Sequence, residues 1–440
     1  MKYLLRIAFR NVRINLKPSL AALLSISAAY MTILIFDGYI ESVSRLYLNS
    51  YRHRQMYGDF IIQNPQLRSK EGKADPISYS LTSEQQQRID SYLKSRSQEV
   101  VAAVKNLEFV GTISNGRVST IFVSRAFQQD EGLKLRQQEW GWNALYGKPI
   151  HLGEPGNKVL LGQALARTLG CRPKEKQKVL TPSGGFREGF REFNCDTEDI
   201  LLSVTTATGQ VNSLDFKVSG ITDAGYRDID ARYVMADFKD AQTLVNTDRV
   251  GYYTLLLEDG ISQNKFIRDF EEIVTTKDPA IKIQRWQDHA VGDLYNKTMN
   301  LLSVFRNFVI IVLVAISGLS IATTFSKNVK ERTREIGLLL SLGFYRRSVL
   351  NIFLYESMIL GLLGVGIGLM AGGAFSIILN ASQIYYKAGL LSEPVVFYVI
   401  PNWNSLLIGA LGLIILAIVA CYFATRSTLN KSVVECLQHS

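Results

Sequence analysis

The densest run of charge in this sequence lies between Lys327 and Arg347, KNVKERTREIGLLLSLGFYRR, where Lys327, Lys330, Arg332, Arg334, Arg346 and Arg347 are basic and Glu331 and Glu335 acidic. Short segments rich in Lys and Arg between two apolar runs stay on the cytoplasmic side of a membrane. Ile336, Leu339 and Leu340 recur beside these charges at helical spacing, which predicts a short amphipathic helix. Gly343 is placed to end it, because a residue without a side chain can turn the chain back. The chemistry open to such a helix is docking against a partner; the alternative is a solvated loop that only obeys the charge rule. One carboxylate, Glu356, falls inside the following apolar run. It is either a functional group held within a span or a residue near the end of that span, beside the charged helix.

Other chemistry is missing from the pattern. No Gly-x-x-x-x-Gly-Lys-Ser/Thr loop occurs, so this chain is not expected to cradle ATP in that way. His53, His151, His289 and His439 stand singly, without His-x-x-x-His or Cys-x-x-Cys spacing, and no metal site is expected. There is no Gly-x-Ser-x-Gly elbow, so no catalytic residue is assigned. The formal charge of +10 does not imply nucleic acid, since Lys2, Arg6, Arg10, Arg13 and Lys17 sit beside an apolar run where anionic headgroups can meet them.

The elements that must position the charged helix are apolar. Runs near 19–36, 307–325, 357–379 and 405–425 are each about long enough for a bilayer core of roughly 30 Å. The expected fold is an α-helical membrane protein with four transmembrane helices and a large α+β periplasmic domain inserted between helices 1 and 2. In order, we expect an interfacial helix at 1–17, spans at 18–36, 304–325, 348–379 and 403–425, and helical stalks at 37–55 and 286–303. The domain takes 56–285, the coupling helix 326–347, a short outer loop 380–402, and a cytoplasmic tail 426–440. A cleaved signal peptide is disfavoured because the first apolar run continues through Met31 to Phe36. Gly364, Gly368 and Gly372 repeat every fourth residue, a bare stripe on which another helix can pack closely. Few charges and no mid-span Pro interrupt these helices, unlike those that build solute sites in many secondary transporters.

Within the domain, strands are predicted at 60–62, 119–123, 159–161, 201–204 and 253–257, and helices at Ala164–Leu169, Asp237–Val245 and Asn264–Val274. Cys171 and Cys195 fall where a disulfide can form, the alternative being two free thiols; Cys421 and Cys436 lie in the last span and tail. The stretch from Cys171 to Cys195, CRPKEKQKVLTPSGGFREGFREFNC, carries Phe186, Phe190 and Phe193, read either as a hairpin packed on its own domain or as a contact for a partner.

ERTREIGLLLSLG (331–343) followed by FLYESMILGLLGVGIGL (353–369) closely resembles the signature of the FtsX/MacB/lipoprotein-releasing superfamily of ABC-transporter permeases, whose members transmit force mechanically. IAFRNVRINLKPSL (7–20) resembles the uncleaved start of the same family. YGDFIIQNP (57–65), VLLGQALARTLG (159–170) and VSGITDAGYRDIDARYVMADFKDAQTLV (218–245) resemble, in order, its periplasmic domain, which has an inserted lobe, here roughly 111–215. The resemblance implies that Lys330, Glu331, Arg332, Thr333, Arg334, Glu335 and Gly343 couple the chain to an ABC ATPase. It implies two copies of that ATPase holding ATP and Mg, with no cofactor in this chain, and pairing with itself or with a paralogous permease. Its location would be the bacterial inner membrane, with both termini cytoplasmic. Its work would be extracting a lipoprotein or lipid, or pushing a periplasmic substrate through an adaptor. Two alternatives remain: a regulator of a cell-wall hydrolase, as in the division-associated branch, whose domain is usually smaller, and a sensor, which would want a cytoplasmic output domain.

Overall fold

The computed structural model describes residues 2–14, 16–136, 145–150, 156–174, 192–224, 227–386, 395–430 and 435. His151, Phe186, Phe190, Lys387, Glu393, Lys431, Cys436 and His439 lie outside the described residues, as do the side chains of Lys2, Lys17 and Pro18. The chain divides into two compact units, one of residues 1–45, 298–384 and 397–440, the other of residues 46–297 and 385–396.

The first unit is helical. A short helix (Lys2–Ile14) precedes four long ones: the first, Leu16–Asn49; the second, Asp293–Glu331; the third, Arg346–Ala381; and the fourth, Trp403–Leu429. All four exceed the roughly 20 residues a bilayer requires and are apolar enough to cross one. Asn402 starts the fourth by accepting the backbone N–H groups of Asn404 and Ser405, which satisfies donors a helix otherwise leaves open at its start. Val12, Ile26, Phe325, Val349, Phe353, Leu360 and Cys421 share one core. Along the second helix Leu301, Val304, Phe308, Ile311, Ile316 and Leu319 are exposed. A contiguous apolar face of this extent is what a lipid-facing helix presents.

The second unit is α+β. Its large sheet is built from β1 (Phe60–Gln63), β2 (Val100–Ser114), β3 (Ser119–Phe127), β4 (Tyr146–Gly147), β5 (Lys158–Gly162), β8 (Asp199–Thr205), β9 (Val211–Thr222), β10 (Tyr233–Asp237), β11 (Tyr252–Leu257) and β12 (Lys282–Arg285). A separate pair joins β6 (Cys171–Pro173) to β7 (Phe193–Cys195). The path is β12-β1-β11-β2-β3-β10-β5-β9-β4, and β8 pairs with both β2 and β9. Strands β2, β3, β10, β5, β9 and β8 therefore close a ring, with Ile113, Phe122, Leu202, Val204 and Phe216 buried in the shared core. Closing the ring leaves those strands without free edges.

All five strands read from sequence lie within observed strands. The long strand β2 was not read, nor were β9, β10 and β12. The helices fall close to expectation, at Gln163–Thr168, Phe238–Val245 and Gln263–Phe270. Asp237 caps the second by accepting the Lys239 N–H at 2.8 Å. An unread helix, Ser83–Ser95, begins with a reciprocal box in which Thr82 and Gln85 each satisfy the other's backbone.

One sheet face packs on those helices; the other holds a second apolar cluster, with Val104, Phe127, Leu160 and Leu256, and beside it polar and aromatic groups. Arg125 donates to the carbonyl of Gln55 at 2.5 Å and to Asn106 Oδ1 at 3.2 Å. Its guanidinium lies 4.7 Å from the Tyr57 ring centre. Tyr51 stacks on Trp286 at 5.1 Å, and Tyr295 meets the same indole edge-on. The wide helical turn Ser50–Arg54 is thereby tied to the sheet, with Arg54 paired to the Asp223 carboxylate.

Candidate functional site

The charged stretch forms a helix over Thr333–Ser341. It ends at Gly343, whose φ of +88° is in the left-handed region. Gly343 N–H donates to Leu340 and Phe344 N–H to Leu339, the paired closure that satisfies carbonyls at a helix end. The reason for a glycine here is conformational, since any side chain at that φ is strained.

Arg332, just before this helix, points inward. Its Nη1 donates to Glu356 Oε2 at 2.7 Å, and its Nε donates to Glu335 Oε2 at 2.7 Å. Asn11 Nδ2 donates to the other Glu356 oxygen at 2.7 Å, and the guanidinium lies 4.8 Å from the Phe353 ring centre. Burial by itself pushes the Arg332 guanidinium down, but Glu356 and Glu335 outweigh it and hold the group above its ordinary value. One carboxylate thus joins three helices. Of the two placements open for Glu356 in the sequence, the structure shows the one beside the charged helix. Thr333 is also buried, with its hydroxyl donating to the Lys330 carbonyl at 2.7 Å.

Lys330, Glu331, Arg334 and Glu335 are exposed. Beside them Leu338 is 56% exposed, Leu342 69% and Tyr345 82%. Arg334, Leu338 and Leu342 are four residues apart and share one helical side. The buried side is Thr333, Ile336 and Gly337. Leu339 and Leu340, expected with Ile336 on the apolar face, are half-buried against the same core as Ile336, and the exposed apolar residues are Leu338 and Leu342. The short N-terminal helix differs from its expected placement along a headgroup layer by one side alone: Ala8 and Val12 are buried and Asn11 reaches Glu356, while Ile7, Phe9, Arg6, Arg10 and Arg13 are exposed. The third long helix covers its inner side.

Gly364, Gly368 and Gly372 all face the first long helix. A methyl group at Gly364 would lie 2.8 Å from Ile26 Cβ, and one at Gly368 would lie 2.6 Å from the Ser27 carbonyl oxygen. At Gly372 the nearest atom would be Leu34 Cδ1, at 3.3 Å. In the other unit, Cys171 and Cys195 lie opposite one another in the β6–β7 pair and are joined by a disulfide. Phe193 packs against the domain core. Of the two readings of this stretch, the described part is a hairpin resting on its own domain.

Residues 307–433 match the family described as FtsX-like permease C-terminal. The chain is 25% identical over 156 residues to a macrolide export ATP-binding/permease protein, MacB 2, of Aeromonas hydrophila, covering 31% of this chain and 24% of that protein. It is 24% identical over 189 residues to a pyoverdine export ATP-binding/permease protein, PvdT, of Pseudomonas fluorescens, covering 40% and 29%. The chain thus spans under a third of the length of these relatives. Among solved structures, the periplasmic region of MacB from Actinobacillus actinomycetemcomitans matches with 10% identity and a TM-score of 0.33, over 55% of this chain and 92% of that one. The extracellular domain of the noncanonic ABC-type transporter YknZ from Gram-positive bacteria matches with 13% identity and a TM-score of 0.31, over 51% and 98%. The matched segment takes in the charged turn between the second and third long helices, and over that segment the chain is similar to the FtsX-like permeases.

Proposed function

We propose that this protein is the membrane subunit of an ABC system and that the helix Thr333–Ser341 receives force from a separate ATPase. The observation that carries this reading is the solvent-facing stripe of Arg334, Leu338 and Leu342 on a helix fixed from behind by Arg332 and Glu356. A docking surface needs apolar anchors with charge around them, and a helix that transmits force must not slide on its own support. In this reading ATP and Mg are held by the partner, two ATPases act on a pair of permeases, and their approach tilts Thr333–Ser341. The motion passes along residues 1–55 and 286–325 to a domain on the periplasmic side of the inner membrane. The work done there is extraction of a lipid-anchored molecule or onward passage of a periplasmic substrate. The relatives named for macrolide and pyoverdine export support the second no less than the first.

The test is co-purification of the full chain with its ATPase, followed by ATP turnover, for wild type, Arg334→Glu and Leu342→Glu. Both substitutions are exposed and are expected to leave the permease folded while reducing retained ATPase at least about tenfold, the consequence of losing roughly 1.4 kcal/mol or more. Unchanged retention and turnover in both would refute docking at this surface.

A further inference from the structure

Among the first, second and fourth long helices lies a cavity of about 600 Å³. Its depth is apolar, walled by Ile33, Val314, Leu413 and Leu416, and its rim is polar, with Asp37, Arg306 and Ser405. Asp37 is nearly fully buried at 3% exposure and lies 3.8 Å from Arg306 Nη1, whose side chain is 32% exposed. The size is that of a small-molecule site, roughly 300–1,000 Å³. We propose that this cavity binds one acyl chain of a zwitterionic glycerophospholipid from the surrounding bilayer, its phosphate at Arg306 and its amine at Asp37.

The chemistry of the walls selects this occupant. A polar metabolite would leave its hydrogen-bonding groups unanswered along the apolar depth, at a cost of several kcal/mol by general transfer energies. An extended peptide would do the same with every backbone N–H and C=O. An acyl chain has no such groups and gains about 0.8 kcal/mol for each methylene buried. At the rim the Arg306 guanidinium is about a third exposed and the Asp37 carboxylate lies behind it, so the cavity mouth offers both signs to a head carrying both. Guanidinium matches phosphate geometry, and the carboxylate matches an ammonium. Coupling to an ATPase plays no part in this argument, so the site stands or falls independently of the docking helix.

Gly412 lines the cavity, and a side chain begun there meets nothing within 4 Å. Gly412→Phe therefore fills the space without a clash at its first atom. Gly366 also opens on free space and does not line the cavity, so Gly366→Phe serves as the control for folding. The full chain, purified in mild detergent and stripped of lipid, is titrated with phosphatidylethanolamine, phosphatidylglycerol or a synthetic diacyl lipopeptide and read by native mass spectrometry. The proposal expects one phosphatidylethanolamine per chain in wild type and in Gly366→Phe, and about tenfold less in Gly412→Phe. Arg306→Gln is expected to weaken retention about tenfold, and phosphatidylglycerol to bind less well than phosphatidylethanolamine. Equal retention by Gly412→Phe and wild type overturns the site. Equal binding of the two phospholipids overturns the headgroup assignment, and preference for the lipopeptide assigns the cavity to an acylated protein instead.

Discussion

Arg332 and Glu356 form a nearly buried pair, with side chains 14% and 9% exposed. Removing one partner of such a pair leaves an uncompensated charge, worth about 3–5 kcal/mol, whereas exchanging both for apolar groups is often neutral. Glu356→Ala is accordingly expected to lower the thermal midpoint of the purified chain sharply, and Arg332→Met with Glu356→Leu to recover most of the loss. If the double variant is as unstable as the single, the pair is not what holds the helix. The pair is partly legible: Glu356 is visible as a carboxylate inside an apolar run, and a place beside the charged helix is one of the two the sequence leaves open for it. Asn11 was not, because a helix packed against another helix and one lying on headgroups show the same apolar stripe. A second residue prediction concerns His289. Burial pushes its imidazole down to about 4 from 6.5, with Arg68 acting in the same direction. The unfolded chain takes up the proton first, so stability is unaffected above pH 6.5 and falls by roughly 3 kcal/mol as pH drops toward 4. Asp240, raised to about 6 chiefly by burial, acts with the opposite sign below pH 6. The test is the difference in stability between wild type and His289→Asn across that range. A flat difference would contradict the assignment.

Among the elements, the glycine stripe was legible because its fourfold spacing has one geometric meaning. Gly368 meets backbone rather than a pliable side chain, so Gly368→Leu should force the first and third helices apart, at the upper end of the roughly 1–3 kcal/mol typical of overpacking. Gly366→Leu should leave stability within about 0.5 kcal/mol. Comparable melts for the two would show that the stripe is not a packing surface. The disulfide closes 24 residues, and its removal by Cys195→Ser should cost on the order of 3 kcal/mol by loop-closure arguments, read as a lower midpoint of the domain's unfolding transition. Strand β2 escaped sequence reading for a physical reason. Its first half pairs with β11 and its second with β3, joined over Gly111–Ser114 by β8; the buried side switches between Asn106 and Leu107, and Lys105, Asn106 and Gly111 interrupt the apolar alternation that marks a half-buried strand. The five strands that were read are short segments rich in β-formers between polar residues or glycines.

For the whole molecule, the four spans are legible in long uncharged runs, because a bilayer demands them, and the α+β class is legible in the strand-like and helix-like segments between the first two. The helices overrun those apolar runs considerably: the second begins at Asp293 and ends at Glu331, whereas the uncharged run is 307–325. Hydropathy finds what needs lipid and is blind to helical continuation in water. The ring closure of the sheet could not be read, since it depends on pairings between strands about 90 residues apart. The central claim is that the stripe on Thr333–Ser341 is where an ATPase bears on the permease. A photoreactive amino acid at Leu342, with another at exposed Val211 as control, tests it most directly in intact cells. The account predicts that Leu342 cross-links to a polypeptide whose sequenced peptides include a phosphate-binding loop, and that Val211 does not. It is contradicted if Leu342 yields no such adduct and a membrane-impermeant reagent added outside the cell labels Leu342→Cys.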